Sequence, residues 1–193
     1  IKKFTSNGNF VLKFGAFAAI GGIALDRSGN IYAVVYDIGN IRRILKFTSN
    51  GSFIKEWWSS GSGNGQFIMP HQLGIDSSGN IYVGDSGDYT IKKFNSNESF
   101  ITEWGSQGSE DGQFAGYIYG IAFDSFGDVY VIDSTNCRIQ KFTPDGKFLT
   151  KWGSQGNGYE QFGRLADIAI DISNNIYVVD IGKDCIFKFR ISN

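Results

Sequence analysis

An internal repeat dominates this chain of 193 residues. Its clearest landmark is an aspartate followed by a turn rich in Ser, Gly and Asn and then by an Ile-Tyr or Val-Tyr pair. The four copies begin 50, 48 and 47 residues apart, at residues 26–32, 76–82, 124–130 and 171–177. A repeat of this length predicts a series of similar supersecondary units, because each unit must bury its apolar face against its neighbours.

Each period predicts four β-strands joined by tight turns. A short apolar strand precedes the aspartate turn, and a nearly continuous apolar run follows it, which is typical of a strand buried on both faces. The third strand alternates as Ile-x-Lys-Phe. An Asn-Gly or Asp-Gly hairpin joins it to the fourth strand in most copies, whereas Asn97-Glu98 takes that place in one. The fourth strand ends in an aromatic residue at Phe14, Trp57, Trp104 and Trp152.

A single sheet of four strands cannot cover both of its own apolar faces. Stacking successive sheets around an axis covers them and leaves only short outer edges, which is the architecture of a β-propeller. The predicted fold is therefore all-β, with four-stranded antiparallel blades. Four and a half blades are expected: a partial blade at 1–15, complete blades near 20–58, 72–105 and 119–153, and a partial blade at 167–189.

The landmarks combine into G-Q-F…P-x-G-I-A-x-D-x-x-G-N-I-Y-V-x-D…N-x-R-I-x-K-F-x-x-x-G-x-F, which resembles the NHL repeat. The best copies lie at residues 112–148 and 65–100. NHL proteins usually form six-bladed propellers, so the resemblance implies a segment of a six-bladed ring. The alternative is a closed four-bladed ring, in which residues 10–14 pair beside the last blade.

The charge of the chain bears on its partners. Lys and Arg number 18 and Asp and Glu 19, which gives a formal net charge of -1, whereas binding to nucleic-acid phosphates needs a basic face. We therefore expect a protein partner or self-association rather than nucleic acid. No stretch has the length and apolarity of a transmembrane segment. Cys137 and Cys185 are too few for a disulfide framework, and whether they pair stays open.

Basic side chains recur on or beside the third strands. We interpret them as a solvated edge that prevents pairing between sheets. The alternative is an RNA-binding face, as in some animal NHL proteins. The residues concerned are Lys2, Lys3, Lys46, Lys92, Lys93, Arg138, Lys141 and Lys188.

His71, the only histidine, follows Pro70 just before a predicted innermost strand. This Pro-His pair resembles that of NHL-type lyases that cleave peptidyl-α-hydroxyglycine, which use several such histidines to hold zinc. The matching positions here are Gly21, Tyr119 and Ala166, and zinc needs three or four donors. The sequence therefore predicts no metal site, no cofactor and no catalytic residue, and His71 is interpreted as lining the mouth of the channel.

Aspartates recur at two positions of the repeat. One carboxylate per blade at the same turn is typical of a structural hydrogen bond, although a calcium site or acid–base chemistry is the alternative. We interpret the first set as such structural residues and the second set as turn formers. The first set is Asp37, Asp85, Asp133 and Asp180, and the second is Asp26, Asp76, Asp124 and Asp171.

The leading functional hypothesis is a non-catalytic propeller scaffold that presents loops to a protein or other ligand. The NHL resemblance implies an exported or surface protein as its setting. The alternatives are a metal-dependent lyase completed by further blades and an RNA-binding domain. Binding is expected near the entry to the first strands, where rigid amphipathic side chains suit an interface. The residues predicted there are His71, Gln72, Tyr117, Ile118, Tyr119 and Asp167.

Overall fold

The computed structural model describes residues 1–37, 42–57 and 59–190, and the elements within them are all β-strands. An N-terminal hairpin contains β1 (Lys2–Phe4) and β2 (Phe10–Lys13). Blade I contains β3 (Ala19–Leu25), β4 (Ile31–Tyr36), β5 (Arg42–Phe47) and β6 (Phe53–Glu56). Blade II contains β7 (Pro70–Ile75), β8 (Ile81–Asp85), β9 (Thr90–Phe94) and β10 (Phe100–Trp104).

Blade III contains β11 (Ile118–Phe123), β12 (Val129–Asp133), β13 (Arg138–Phe142) and β14 (Phe148–Trp152). A short parallel pair, β15 (Ser154–Gln155) and β16 (Gln161–Phe162), closes the loop that follows. Blade IV contains β17 (Leu165–Ile170), β18 (Asn175–Asp180) and β19 (Cys185–Arg190). In the part of the chain described, no helix has the length and apolarity to cross a membrane.

The strands of each blade pair antiparallel in sequence order. The first strands of successive blades contact one another, β3 with β7, β7 with β11 and β11 with β17, so they lie innermost. The chain therefore folds as an all-β propeller. Three four-stranded blades, one three-stranded blade and one hairpin confirm the four and a half blades that the sequence predicts.

The N-terminal hairpin packs against blade I as the third and fourth strands of one blade pack against the next. The Phe14 ring lies 5.2 Å from the Phe47 ring, just as the Trp57 ring lies 4.7 Å from the Phe94 ring between blades I and II. Within the described residues β1 and β2 pair only with each other, and β19 pairs only with β18. The alternative of a four-bladed ring closed by β2 beside the last blade is therefore wrong.

The aspartate turns have the predicted mechanism. Oδ1 of Asp76 accepts the backbone N–H groups of Ser78 and Asn80 at 2.8 and 2.9 Å. Gly79 has a φ of +87°, which a residue without a Cβ adopts at little cost. The equivalent position in blade IV holds Asn174 at a φ of +59°, and asparagine tolerates this region better than most residues. The turns therefore form from local sequence.

The carboxylates that end the second strands connect each blade to the loop before it. Asp85 is fully buried and accepts the backbone N–H groups of Ile68 and Met69 at 2.8 and 2.7 Å. Asp133 and Asp180 are also fully buried and accept equivalent N–H groups from their preceding loops. Burying a carboxylate is tolerated because these hydrogen bonds replace its hydration. At these three positions the structural interpretation holds.

Blade I departs from this pattern, so the prediction for Asp37 is wrong. The strand register places Val35 opposite Arg43, as it places Asp133 opposite Arg138. Asp37 lies two residues further on and forms an ion pair with Arg43. Blade I has seven residues between Val35 and Arg43, whereas blade III has four between Asp133 and Arg138, so Asp37 belongs to the additional residues of blade I.

Neighbouring blades are held together by aromatic residues at the ends of the fourth strands. Trp57 packs edge-on against Tyr32 of its own blade at 6.3 Å and against Phe94 of the next blade at 4.7 Å. The same arrangement recurs at Trp104 and Trp152. Such aromatic pairs contribute about 0.5–1.5 kcal/mol each beyond their buried area. The repeated aromatic of the sequence is therefore a contact between blades.

The two outermost faces expose apolar residues that the inner blades bury. Ile186 on β19 is 66% exposed, whereas the residues at the same repeat position in blades I to III are fully buried. Ile23 on β3 is 49% exposed, and its equivalents are also buried. Burial at these positions therefore depends on a neighbouring blade, which is the physical basis of a propeller. The buried equivalents are Ile44, Ile91 and Ile139, and Leu73, Ile121 and Ile168.

The interpretation of the third-strand lysines as a solvated edge is wrong for the inner blades. Lys92 is fully buried, and its ammonium group lies 2.7 Å from Asp88 and 2.8 Å from Glu103. The side chain of Lys141 is 17% exposed and pairs with Asp124 and Asp128. These cations are bound within the blades because neighbouring segments supply the carboxylates.

Glu98 explains why one hairpin lacks the Asn-Gly pair. It takes a φ of +65°, and its carboxylate reaches into blade I, where Lys46, Lys55 and the hydroxyl of Tyr32 bind it. Burial alone would raise the pKa of Glu98, but these hydrogen bonds together lower it below its ordinary value. Glu98 therefore stays charged and joins blade II to blade I, at the cost of an unfavourable backbone conformation.

Candidate binding site at the entry to the first strands

A β-bulge lies at the same point of all four first strands. The registers shift at residues 20–23, 70–72, 118–121 and 165–167. A bulge re-aims the side chain at the point of irregularity. The register makes Gly21, His71, Tyr119 and Ala166 equivalent, which confirms the alignment of these positions in the sequence. One repeated backbone feature therefore presents a different side chain in each blade, and two of these side chains, His71 and Tyr119, belong to the site.

Four rings from three blades meet at this end of the propeller. The His71 ring lies 4.8 Å from the ring of Tyr119, 5.1 Å from that of Tyr117 and 6.1 Å from that of Tyr36. The rings of Tyr117 and Tyr119 are 5.6 Å apart. We call these four residues the aromatic cluster. Tyr117 is 41% exposed and forms its rim, while the other three are partly buried.

Arg42, the first residue of β5, lies against the aromatic cluster. Its guanidinium carbon is 4.7 Å from the centre of the Tyr36 ring and 6.0 Å from that of Tyr117. Its Nη1 donates to the backbone carbonyl of Pro70 at 3.3 Å, and only 8% of the residue is exposed. The cation therefore contributes cation–π interactions and a positive charge to the cluster.

The absence of a side chain at Gly21 makes room for the cluster. A Cβ there would lie 2.2 Å from the carbonyl oxygen of His71 and 2.5 Å from the hydroxyl of Tyr36. Both distances are too short for any Cβ contact. Glycine thus occupies the blade I position of the bulge because blade II and Tyr36 fill the space that a side chain would need.

Electrostatics keep the imidazole of His71 neutral. Burial, followed by the positive charge of Arg42, lowers the pKa of His71 from 6.5 to about 4. Burial also raises the pKa of Tyr36, and the effect of Arg42 in the opposite direction is smaller. Near pH 7 the imidazole of His71 therefore carries no charge, and the positive charge beside the aromatic cluster is that of Arg42.

We expect the imidazole of His71 to titrate near pH 4 in the folded protein. Because the unfolded chain binds this proton near pH 6.5, stability falls as pH decreases from 6.5 to 4, by about 3 kcal/mol in total. His71 is the only histidine, so one pair of ring NMR signals reports its titration. A midpoint near 6.5 would contradict burial of this ring. The variant His71→Gln should lose this component of the acid sensitivity.

The other predicted binding residues lie differently. Gln72 and Asp167 occupy the second bulge position, where each side-chain oxygen accepts the N–H of the following residue, at 3.1 and 2.9 Å. Burial raises the pKa of Asp167, and no described hydrogen bond, ion pair or ring contact joins it to the aromatic cluster. Ile118 is fully buried in the core between blades II and III, so it contributes packing rather than a contact surface.

Two members of the site escaped the sequence analysis. Tyr36 follows a run of apolar residues in the sequence, which predicts a core position. In the structure it is the last residue of β4, and its ring lies 6.1 Å from that of His71. Arg42 lies two residues before Ile44, where the repeated Ile-x-Lys-Phe pattern begins, and it follows the longer loop of blade I. The signal that could have identified it is the pair Arg42-Arg43, because the other blades have one residue or none of this type at that point.

The part of the chain that the structure describes holds neither a metal-binding cluster nor a disulfide. The described residues contain no group of three or more His, Cys, Asp or Glu side chains arranged to hold a metal ion. Cys137 is buried, Cys185 is exposed and both are free thiols, which answers the question of their pairing.

One cavity of about 370 Å³ lies elsewhere, between blade III and β19. Tyr130, Lys141 and Trp152 form its wall. In blades I and II, Tyr32 and Tyr82 occupy the same repeat position as Tyr130. Beside each of them, the hairpin between the third and fourth strands of the next blade covers the corresponding space. The cavity is therefore a gap in blade packing.

These features define the chain as a β-propeller with a candidate binding site at the end where its first strands begin. The model of a domain family described as a 6-bladed beta-propeller, DUF5128, matches residues 110–193. No curated protein matches the sequence.

Several solved structures share the fold. A protein of unknown function from Bacteroides thetaiotaomicron is 20% identical with a TM-score of 0.68, and the match covers 88% of this chain and 46% of that one. A streptogramin B lyase is 18% identical with a TM-score of 0.62, covering 91% and 55%. A gluconolactonase from Xanthomonas campestris is 15% identical with a TM-score of 0.69, covering 97% and 63%. This chain thus spans less than two thirds of each, and similarity at these identities shows the fold alone.

Proposed function

We propose that this chain is a non-catalytic propeller module of the NHL type that binds its partner at the aromatic cluster. The observation that carries the proposal is the convergence of four rings from three blades at one end of the first strands. Rigid, amphipathic aromatic side chains provide large contact areas at low conformational cost, which is why they dominate binding hot spots. We further propose a protein or other extended ligand as the partner, and an exported or surface protein as the setting.

The positions equivalent to His71 favour binding over metal-dependent catalysis. Gly21, Tyr119 and Ala166 stand there, and none is a usual zinc ligand. The likeness to a streptogramin B lyase concerns the fold, so it lends the lyase alternative no site. RNA binding is also disfavoured, because acidic residues within the propeller already pair with Lys46, Lys92 and Lys141.

The proposal can be tested with a neutral aromatic probe, indole-3-acetamide. We expect it to shift the His71 ring signals saturably, with a dissociation constant in the millimolar range that befits a small ligand. Tyr117→Ala and Tyr119→Ala should each weaken binding about fivefold, because each removes one aromatic contact. Tyr159, which is 99% exposed and lies outside the cluster, provides the matched control Tyr159→Ala, which should bind as the unmodified chain does.

Thermal denaturation separates a binding role from a packing role. Tyr117→Ala should leave the thermal midpoint nearly unchanged, because this side chain is 41% exposed. The proposal fails if the probe does not shift the His71 signals saturably. It also fails if Tyr159→Ala weakens binding as much as Tyr117→Ala does.

A further inference from the structure

The buried cation that lies against the aromatic cluster, Arg42, lacks a carboxylate partner among the described residues. Arg42 is 8% exposed, and its described hydrogen bond is a single contact of 3.3 Å to the carbonyl oxygen of Pro70. Its Nε is buried and has no hydrogen-bond partner. Within the described ranges, no Asp or Glu side chain forms an ion pair with it. Because a buried charge is costly unless it is paired, the site favours an anion.

Two other arginines of the chain show what this guanidinium lacks. The neighbouring Arg43 pairs with the carboxylates of Asp37 and Glu56. Arg138 of blade III is 5% exposed, and its Nε lies 2.8 Å from Oδ2 of Asp133. Arg138 also donates to three backbone carbonyls. The fold therefore supplies carboxylates to these arginines but leaves Arg42 to the aromatic rings.

A second donor beside Arg42 is also without a partner. The hydroxyl of Tyr36 is buried and makes no hydrogen bond, and its ring stacks on the Arg42 guanidinium at 4.7 Å. Leaving a buried hydroxyl unsatisfied costs about 1–3 kcal/mol. Two unpaired donors, Nε of Arg42 and the hydroxyl of Tyr36, therefore belong to a stacked pair of side chains, and the partly exposed ring of Tyr117 lies 6.0 Å from the guanidinium carbon of that pair.

We propose that the aromatic cluster recognises a planar organic carboxylate, an inference that rests on the proposed function. The ring of the ligand stacks on Tyr117, Tyr119 and His71, while its carboxylate accepts hydrogen bonds from Arg42 and Tyr36. Guanidinium groups suit carboxylates because their donors form a planar fork. A single cation among neutral rings matches a single negative charge, which favours a carboxylate over a dianionic phosphate.

The test compares two probes that differ in charge at one end, indole-3-acetate and indole-3-acetamide. We expect the His71 ring signals to report about tenfold tighter binding of the acetate at pH 7, because hydrogen bonds to charged groups are the stronger kind. Arg42→Gln should abolish this preference while binding of the amide persists. Tyr36→Phe should weaken acetate binding without lowering the thermal midpoint, since it removes an unsatisfied hydroxyl.

Arg43→Gln is the matched control, because it removes the same charge from a neighbouring guanidinium that is already paired. It should leave the acetate preference unchanged. Equal binding of the two probes would overturn the carboxylate inference and leave the proposed binding site standing. A preference that survives in Arg42→Gln, or disappears in Arg43→Gln, would overturn the assignment to Arg42. Failure of both probes to bind would overturn the proposed function as well.

Discussion

Asp133→Ala lowers the free energy of unfolding by about 3–5 kcal/mol, the cost of breaking a buried ion pair from one side. Asp133 is fully buried, and its Oδ2 lies 2.8 Å from Nε of Arg138, which is itself only 5% exposed. Its Oδ1 accepts the N–H of Ala115 at 3.0 Å, so the substitution also releases the loop before blade III. Urea denaturation measures this loss.

Asp37→Ala is the control for this substitution, because the sequence repeat predicts that Asp37 is equivalent to Asp133. The side chain of Asp37 is 29% exposed, and its partner Arg43 keeps a second carboxylate in Glu56. We therefore expect a loss below about 1 kcal/mol, as for other solvent-accessible pairs. Similar losses for Asp37→Ala and Asp133→Ala would contradict the register that places Val35 at the Asp133 position.

Ile139→Ala lowers the free energy of unfolding by about 2–5 kcal/mol, whereas Ile186→Ala changes it by less than about 0.5 kcal/mol. The two isoleucines occupy the same position on the third strand of blades III and IV. Ile139 is fully buried, whereas Ile186 is 66% exposed because the described residues place no blade on that face.

Comparing the two substitutions removes the effects of strand propensity and side-chain chemistry, which are identical. The difference in denaturation midpoint then measures what packing against a neighbouring blade contributes. Equal and large losses would show that Ile186 is buried in solution, against a second copy of the chain or another segment. Equal and small losses would contradict the packing between blades III and IV.

Much of the fold could be predicted because its signals are local. The turn at Asp76 depends on an aspartate two residues before Ser78 and on Gly79, all adjacent in sequence. The hairpins at Gly51 and Gly146 depend on single positive-φ residues. Four repetitions then made the blade the only consistent unit. Blade I has three additional residues between Val35 and Arg43, so the spacing of the aspartates alone places Asp37 wrongly at the position of Asp133.

The site was harder to predict because its geometry depends on packing between blades. His71, Tyr117 and Tyr119 could be placed at the entry to the first strands from register alone. Ile118, next to Tyr119, appeared equally suitable, but its side chain points into the core. Nothing in the sequence near Arg42 shows that its charge is buried, since burial comes from Tyr36 and from Pro70 of the next blade.

The burial of lysines is a similar case. The alternation Ile-x-Lys-Phe predicts that lysine points to solvent. In the structure Lys141 meets Asp124 and Asp128, which come from the turn between the first and second strands of its blade. A pattern within one strand cannot reveal acidic partners that other segments supply.

Nuclear Overhauser effects at His71 test the convergence of the aromatic cluster most directly. We predict cross-peaks from the His71 ring protons to ring protons of both Tyr117 and Tyr119, whose ring centres lie 5.1 and 4.8 Å away. Each cross-peak should disappear in the corresponding alanine variant, which assigns it. If the folded protein shows cross-peaks to neither tyrosine, the rings do not meet and the proposed binding site is wrong.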